Sequence, residues 1–354
     1  MTPLEDAQEK IDAWIQQGDV TKPLILSWLG LTTLPALPPT LQELWCAGNK
    51  LTSLPTLPST LQSLWCDNNQ LTSLPSLPPT LEELFCQNNQ LTSLPTLPLT
   101  LNTLHCYNNQ LTSLPTLPPT LNTLMCGYNQ LTSLPENTTT STLQRLWCPY
   151  NQLTSLPELP PTLQILTCYT NKLTSLPVLP PILQQLSCSK NQLTILPSLP
   201  STLKKLECDN NQLTSLPTLP PTLQNLDCNH NQLVQLPELP SSIQELYYHN
   251  NPFTIQPPLI PQPYWLQEQL ELESELEQQE LNQAPAPEPL SEEEATLCIE
   301  AAIANNDFCP ILHEPLQRNE CSVTPCRHVF SASGLAEWRL KPNGGECPMC
   351  RQRI

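Results

Sequence analysis

The sequence predicts an α/β-type repeat solenoid, a parallel β-sheet with extended or polyproline returns, followed by a small zinc-binding α+β domain. Three observations carry this. A 20-residue unit, Leu51-Thr-Ser-Leu-Pro-Thr-Leu-Pro-Ser-Thr-Leu-Gln-Ser-Leu-Trp-Cys-Asp-Asn-Asn-Gln70, recurs through most of the chain. Its composition is rich in proline (43 of 354 residues) but poor in glycine (7), with 39% hydrophobic residues, which is not the make-up of a flexible linker protein. Paired cysteines and histidines then crowd the C-terminal end, where metal-ligand spacing appears.

Taken in order, residues 1–30 read as an N-terminal helical cap and first strand. Leu4, Ile11, Trp14 and Ile15 recur at helical spacing over 4–18, and Leu24-Ile-Leu-Ser-Trp-Leu29 reads as an edge strand. Residues 31–262 form the solenoid. Copies of the strand segment Leu-x-x-Leu-x-Cys start at 41, 61, 81, 101, 121, 143, 163, 183, 203, 223 and 243, the last of these eleven (Ile243–Tyr248) having lost its cysteine, and two residues are inserted near Glu136–Ser141. Leu61, Leu64 and Cys66 are expected to point inward. Asn69 is expected to satisfy backbone groups at the bend and to stack on Asn49 and Asn89. The Leu-Pro-x-Leu-Pro stretch cannot be helical, because its prolines break the hydrogen-bond ladder. One such unit cannot bury both leucine rows, but stacked units can.

Residues 263–304 form an acidic helical and proline linker. Leu266, Leu270 and Leu276 suggest a helix ending by Asn282, Ala284–Pro289 a stiff extended piece, and Ser291-Glu-Glu-Glu294 a capping box opening a second helix. A compact C-terminal domain is expected over 305–354, where the cysteine and histidine pairs lie.

The Leu-x-x-Leu-x-Cys-x-x-Asn-x-Leu pattern resembles the leucine-rich repeat. Its Leu-Pro-x-Leu-Pro form is similar to the 20-residue repeats of secreted bacterial effectors that act inside eukaryotic cells. That resemblance implies a protein delivered into the host-cell cytoplasm by a non-Sec route, or simply a cytoplasmic one. The start, Met1-Thr-Pro-Leu-Glu-Asp6, has no basic and apolar Sec signal. Ten of sixteen cysteines recur at one apolar repeat position, which suits small buried thiols in a reducing compartment rather than disulfides. A net charge of −18 argues against nonspecific binding to nucleic acid or anionic membrane, and no apolar run approaches a membrane span.

Near the C-terminus, Cys326-x-His328 and Cys347-x-x-Cys350 are two close ligand pairs, suited to one tetrahedral Zn2+. Order and spacing resemble the RING finger, with these four at one of its two metal sites. At the other site Cys309 remains, while Leu312, Ser331 and Gly334 replace ligands, so a single zinc is expected. One-sided loss resembles the SUMO-ligase variant, and complete loss defines the U-box. The resemblance implies a RING/U-box-type ubiquitin ligase, which has no covalent nucleophile and positions a charged ubiquitin-conjugating enzyme. It assigns conjugating-enzyme contacts to Ile311, Trp338 and Pro348, and to Arg351 the cation that links that enzyme to ubiquitin. A non-catalytic scaffold and a SUMO ligase stay open.

The residue before each cysteine should face outward on the concave side. Trp45, Trp65, Phe85, His105, Met125 and Trp147 make an aromatic and apolar ridge there, spanning about 24 Å. Tyr107, Tyr128, Tyr150 and Tyr169 flank it, and Glu207, Asp209 and Asp227 lie beyond. Such residues dominate protein-binding hot spots, so the expected partner is a protein substrate, of a host cell if the effector resemblance holds. No glycine-rich phosphate loop is present, and none of the five histidines pairs with a nucleophile motif.

Overall fold

A computed structural model of the chain describes residues 2–136, 142–254, 321–323 and 329–331. The chain divides into two compact units, Met1–Gln262 and Pro263–Ile354.

The first unit opens with helix α1 (Pro3–Gln17). Thr2 caps it: its hydroxyl accepts from the Glu5 N–H (3.2 Å), while the Glu5 carboxylate accepts from the Thr2 N–H (2.7 Å). Pro3 sits in the first turn, where no N–H is needed. Gly18 ends the helix in the left-handed conformation, φ 69°, and returns its N–H to the Trp14 carbonyl. The face turned to the solenoid is Ala7, Ile11 and Trp14, with Trp14 Nε1 donating to the Lys22 carbonyl (2.9 Å). Leu4 (49% exposed) and Ile15 (54%) lie off that face. Small Ala7 completes the buried face beside Ile11 and Trp14.

Twelve short parallel strands follow in chain order, as β1 (Leu24–Ile25), β2 (Glu43–Trp45), β3 (Ser63–Trp65), β4 (Glu83–Phe85), β5 (Thr103–His105) and β6 (Thr123–Met125). The sheet continues through β7 (Arg145–Trp147), β8 (Ile165–Thr167), β9 (Gln185–Ser187), β10 (Lys205–Glu207), β11 (Asn225–Asp227) and β12 (Glu245–Tyr247). Each strand pairs with the next at equivalent repeat positions, as in Leu64↔Leu84; the two extra residues fall between β6 and β7, where Leu124 pairs with Leu146. The edge strand is shorter than its apolar run: it ends at Ile25, and Trp28 already has φ 62°.

Leucines fill the interior. Leu61, Leu64, Cys66 and Leu71 are fully buried, and so are their equivalents in the neighbouring coils. The Leu-Pro-x-Leu-Pro returns adopt neither helix nor strand. Thr60 ties one return to the previous coil, its hydroxyl lying 3.0 Å from the Pro39 carbonyl and 2.8 Å from that of Leu41; later threonines repeat the contact.

The bend asparagines act through the backbone. Asn69 Nδ2 donates to the carbonyls of Cys46, Cys66 and Asp67, and its Oδ1 accepts from the Leu51 N–H. One side chain thus satisfies buried groups of two coils that would otherwise be left unpaired. The amide-to-amide ladder expected at Asn49, Asn69 and Asn89 instead forms one residue earlier, where Asn88 donates to Asn68 and Asn108 to Asn88. That earlier position is left-handed in every coil, with φ 53° at Asn68 and 55° at Asn88. Asparagine tolerates this conformation better than most side chains.

In the second unit, β13 (Cys321–Val323) and β14 (Val329–Ser331) pair antiparallel, with Val323 opposite Val329. The helices expected over 266–282 and 291–304, the extended piece 284–289 and the inserted segment 137–141 lie outside the described residues. So do Ile311, Cys326, His328, Trp338, Cys347, Pro348, Cys350 and Arg351.

Candidate protein-binding surface

Strand geometry fixes what this surface shows. Side chains alternate across a strand, so Leu64 and Cys66 point into the solenoid while Ser63, Trp65 and Asp67 line the open face. All six expected ridge residues, Trp45, Trp65, Phe85, His105, Met125 and Trp147, are half-buried on this face.

The rings form a continuous path rather than a straight row. Trp45 stacks on Trp65 (centroids 5.2 Å), Trp65 meets Phe85 (4.4 Å), and His105 stands edge-on to Phe85 (4.7 Å). There the path changes lane. His105 contacts Tyr107 (6.4 Å), Tyr107 meets Trp147 (5.5 Å), and Trp147 leads to Tyr128 (5.8 Å). Tyr128 then stacks on Tyr150 (4.3 Å), which meets Tyr169 edge-on (5.5 Å). Met125 contributes no ring, and the bypass exists because Gly127 leaves room. A Cβ at 127 would lie 2.5 Å from Trp147 Cζ3. Gly48 makes comparable room for the indole of Trp28, which is 76% exposed. The scarcity of glycine could have flagged both positions in the sequence.

Hydrogen bonds hold the tryptophans. Trp45 Nε1 donates to Glu43 (2.7 Å), Trp65 Nε1 donates to the Ser63 hydroxyl (3.1 Å), and that hydroxyl donates to Glu83 (3.0 Å). Beside Trp65, Asp67 takes a hydrogen bond from Asn68 Nδ2 (2.6 Å) on one oxygen. Its other oxygen, and Gln87 Oε1 in the next coil, are buried without a partner among the described residues. Burial raises the Asp67 carboxyl above its usual range.

At the far end the face turns acidic. Burial first, and then Asp209 and Glu207, push Asp227 up to about 6. Ser189 donates to Asp209, and Lys205 pairs with Glu207 at 2.6 Å. Burial likewise lowers the His105 pKa and raises that of Tyr169.

The ten ladder cysteines are free thiols, all buried. Burial pushes Cys46 and Cys228 up to about 12 and raises the thiols between them. They are neutral packing groups rather than nucleophiles. Among the described residues no cluster of histidine, cysteine or carboxylate gathers to hold a metal ion, and no helix is long and apolar enough to cross a membrane.

Residues 39–79 match the family model of leucine rich repeats in two copies. No curated protein matches the chain. Among solved structures, the chain is similar to YopM, a leucine-rich effector protein from Yersinia pestis: 33% identity, 72% of this chain and 90% of that chain covered, TM-score 0.49. A Shigella effector leucine-rich repeat domain is 36% identical, covering 43% of this chain and 68% of that one, TM-score 0.40. The leucine-rich repeat domain of APL1B, 22% identical with 62% and 72% covered and a TM-score of 0.51, shares the fold. With the matched unit repeated in register along a twelve-stranded parallel sheet, the chain belongs to the leucine-rich repeat proteins.

Proposed function

We propose that this protein recruits another protein on the open face of its solenoid and directs ubiquitin to it through residues 305–354. The observation that carries the first half is the ring path from Trp45 to Tyr169. Packing of the core does not require it, since the leucine and cysteine rows already fill the interior, and large half-exposed aromatics are the residue types that anchor protein interfaces.

The second half rests on the sequence. Cys326, His328, Cys347 and Cys350 supply three thiolates and an imidazole, a donor set that suits one structural zinc. In the sequence, Cys326 and His328 lie between the two strands of the antiparallel pair β13–β14. Zinc would cross-link the small domain. Ile311, Trp338 and Pro348 would hold the conjugating enzyme, and Arg351 would bridge it to ubiquitin, favouring attack on the thioester by positioning. The Leu-Pro-x-Leu-Pro unit supports delivery into a host cell as the setting.

The test is direct. Purified protein is incubated with activating enzyme, a panel of conjugating enzymes and either ubiquitin or SUMO. Ubiquitin chains are expected. SUMO transfer alone would reassign the modifier, and no transfer with either would leave a protein-binding scaffold.

A further inference from the structure

The first half of the ring path has a chemistry of its own. Along the direction in which strands pair, Trp45 stacks on Trp65 and Phe85 is tilted against Trp65 at 41°, so each ring crowds the face of its neighbour and the rims are left to the open side. Ile25, paired with Trp45 and 49% exposed, extends the apolar lane by one more coil. The indole N–H groups of Trp45 and Trp65 are already committed to Glu43 and Ser63. The lane therefore offers apolar rims and no free indole donors. A ligand that stacks flat, such as a sugar or a base, finds no open face between Trp45 and Phe85.

The charge beside this lane is mostly negative. Residues 41–110 carry four acidic side chains, Glu43, Asp67, Glu82 and Glu83, against a single cation, Lys50. Glu43 and Glu83 stand in the strands beside the rings, and Glu82 is exposed. The next cation along the chain is Arg145. An acidic occupant is disfavoured here, which counts against two internal ones. Residues 267–300 hold eleven acidic side chains and no lysine or arginine, and a second copy brings a net charge of −18.

Resting on the protein-binding reading above, we infer that the lane from Ile25 to His105 takes a basic segment of a partner protein, which lays aliphatic or aromatic side chains on the ring rims and sets lysine or arginine against Glu43, Glu82 and Glu83. A partner ring would lie face-down on those rims, the edge-to-face arrangement that aromatic pairs favour.

The experiment uses the full chain and three synthetic 15-residue peptides, followed by fluorescence anisotropy. One alternates lysine with phenylalanine and leucine. The second replaces lysine by glutamate, and the third keeps lysine but replaces the apolar residues by glycine. The first is expected to bind at least tenfold tighter than either control and to weaken as salt rises. Replacing Glu43 and Glu83 by Gln should remove most of that salt dependence. Replacing Trp65 and Phe85 by Leu, which keeps apolar volume, should weaken binding at least tenfold, with far-ultraviolet circular dichroism checking the fold. Equal binding of the glutamate peptide, or unchanged binding by the Leu variant, overturns the inference. Binding by the glutamate peptide that is still lost in the Leu variant would spare the protein-binding reading and sink only the basic chemistry. If no peptide of the set, nor any from a random displayed library, depends on Trp65 and Phe85, both fail. A peptide of residues 267–300 binding in trans, or dimerisation by sedimentation that Trp65 and Phe85 control, would replace the partner with an internal occupant.

Discussion

Gly127 lies against the indole of Trp147: a Cβ at 127 would approach Trp147 Cζ3 to 2.5 Å and Pro149 Cδ to 2.8 Å. The absence of one methyl group in coil six thereby lets a ring from coil seven lean back to Tyr107. Gly127→Ala should displace Trp147 and cut the path in two. The expected cost is about 1–3 kcal/mol of stability, as for other overpacked sites. Near-ultraviolet circular dichroism should lose intensity while the far-ultraviolet signal stays. A spectrum unchanged in both regions would show that the lane change does not depend on this glycine.

Asn151 joins coils six and seven. Its Oδ1 accepts from the Leu131 N–H, and its Nδ2 donates to the carbonyls of Cys126, Cys148 and Pro149. Asn151→Ala strips partners from buried backbone groups, each worth about 1–3 kcal/mol when left unpaired. A total loss of roughly 3 kcal/mol is expected in urea denaturation. Asn151→Asp should also destabilise, because a carboxylate cannot donate to three carbonyls.

The ladder thiols should be silent in the folded protein. Iodoacetamide followed by peptide mass spectrometry should leave Cys106, Cys126 and Cys148 unmodified until denaturant is added, since burial holds each thiol far above its usual pKa. Cys126→Ser should destabilise by about 1–3 kcal/mol, because it places a hydroxyl in an apolar row. Rapid native alkylation of any of the three would contradict the buried assignment.

Asp227 gives a pH dependence whose sign can be worked out. Its folded pKa is about 6 against an ordinary 3.8, so between those values the folded state keeps a proton that the unfolded chain has released. Its contribution is complete below pH 3.8 and is lost as pH rises through 6. Asp67 is shifted in the same direction. The stability difference between Asp227→Asn and parent should therefore grow in the variant's favour from pH 4 to pH 7. A flat difference across that range would remove Asp227 as the titrating group.

One zinc per chain is the expectation for residues 305–354. Elemental analysis returning two or none would overturn it. Cys347→Ser should release the metal while the solenoid keeps its unfolding transition. Arg351→Ala should keep the metal but slow discharge of a charged conjugating enzyme.

Much of the solenoid was legible in the sequence because one physical requirement repeats. Leu61, Leu64 and Cys66 must face inward wherever the unit occurs, and the prolines forbid the helical alternative. The helical cap was legible too, from Leu4, Ile11, Trp14 and Ile15, but not which of its residues are buried. A lone amphipathic helix does not say from its apolar residues alone which of them meets a neighbour, and small Ala7 joins Ile11 and Trp14 in the contact. The rings were visible as a list of outward positions, but their route was not. Crossing from His105 to Tyr107 and from Tyr107 to Trp147 depends on side-chain angles and on an absent Cβ at 127, neither of which a linear pattern encodes. The asparagine ladder was misplaced by one residue for a related reason. Period 20 marks both Asn68 and Asn69, and only the left-handed turn decides which amide faces its copy and which faces the backbone.

The in-register pairing of the strands has a consequence at the level of the gene. Because Leu64 meets Leu84 and Leu84 meets Leu104, removing a stretch of 20 residues from among the coils of uniform length brings equivalent positions together again without a seam. Near-identical units are also natural partners for unequal recombination of the coding DNA. The length of the ring path, and hence the size of what it can grip, is open to inheritance in steps of one coil, with no new fold to be invented at any step.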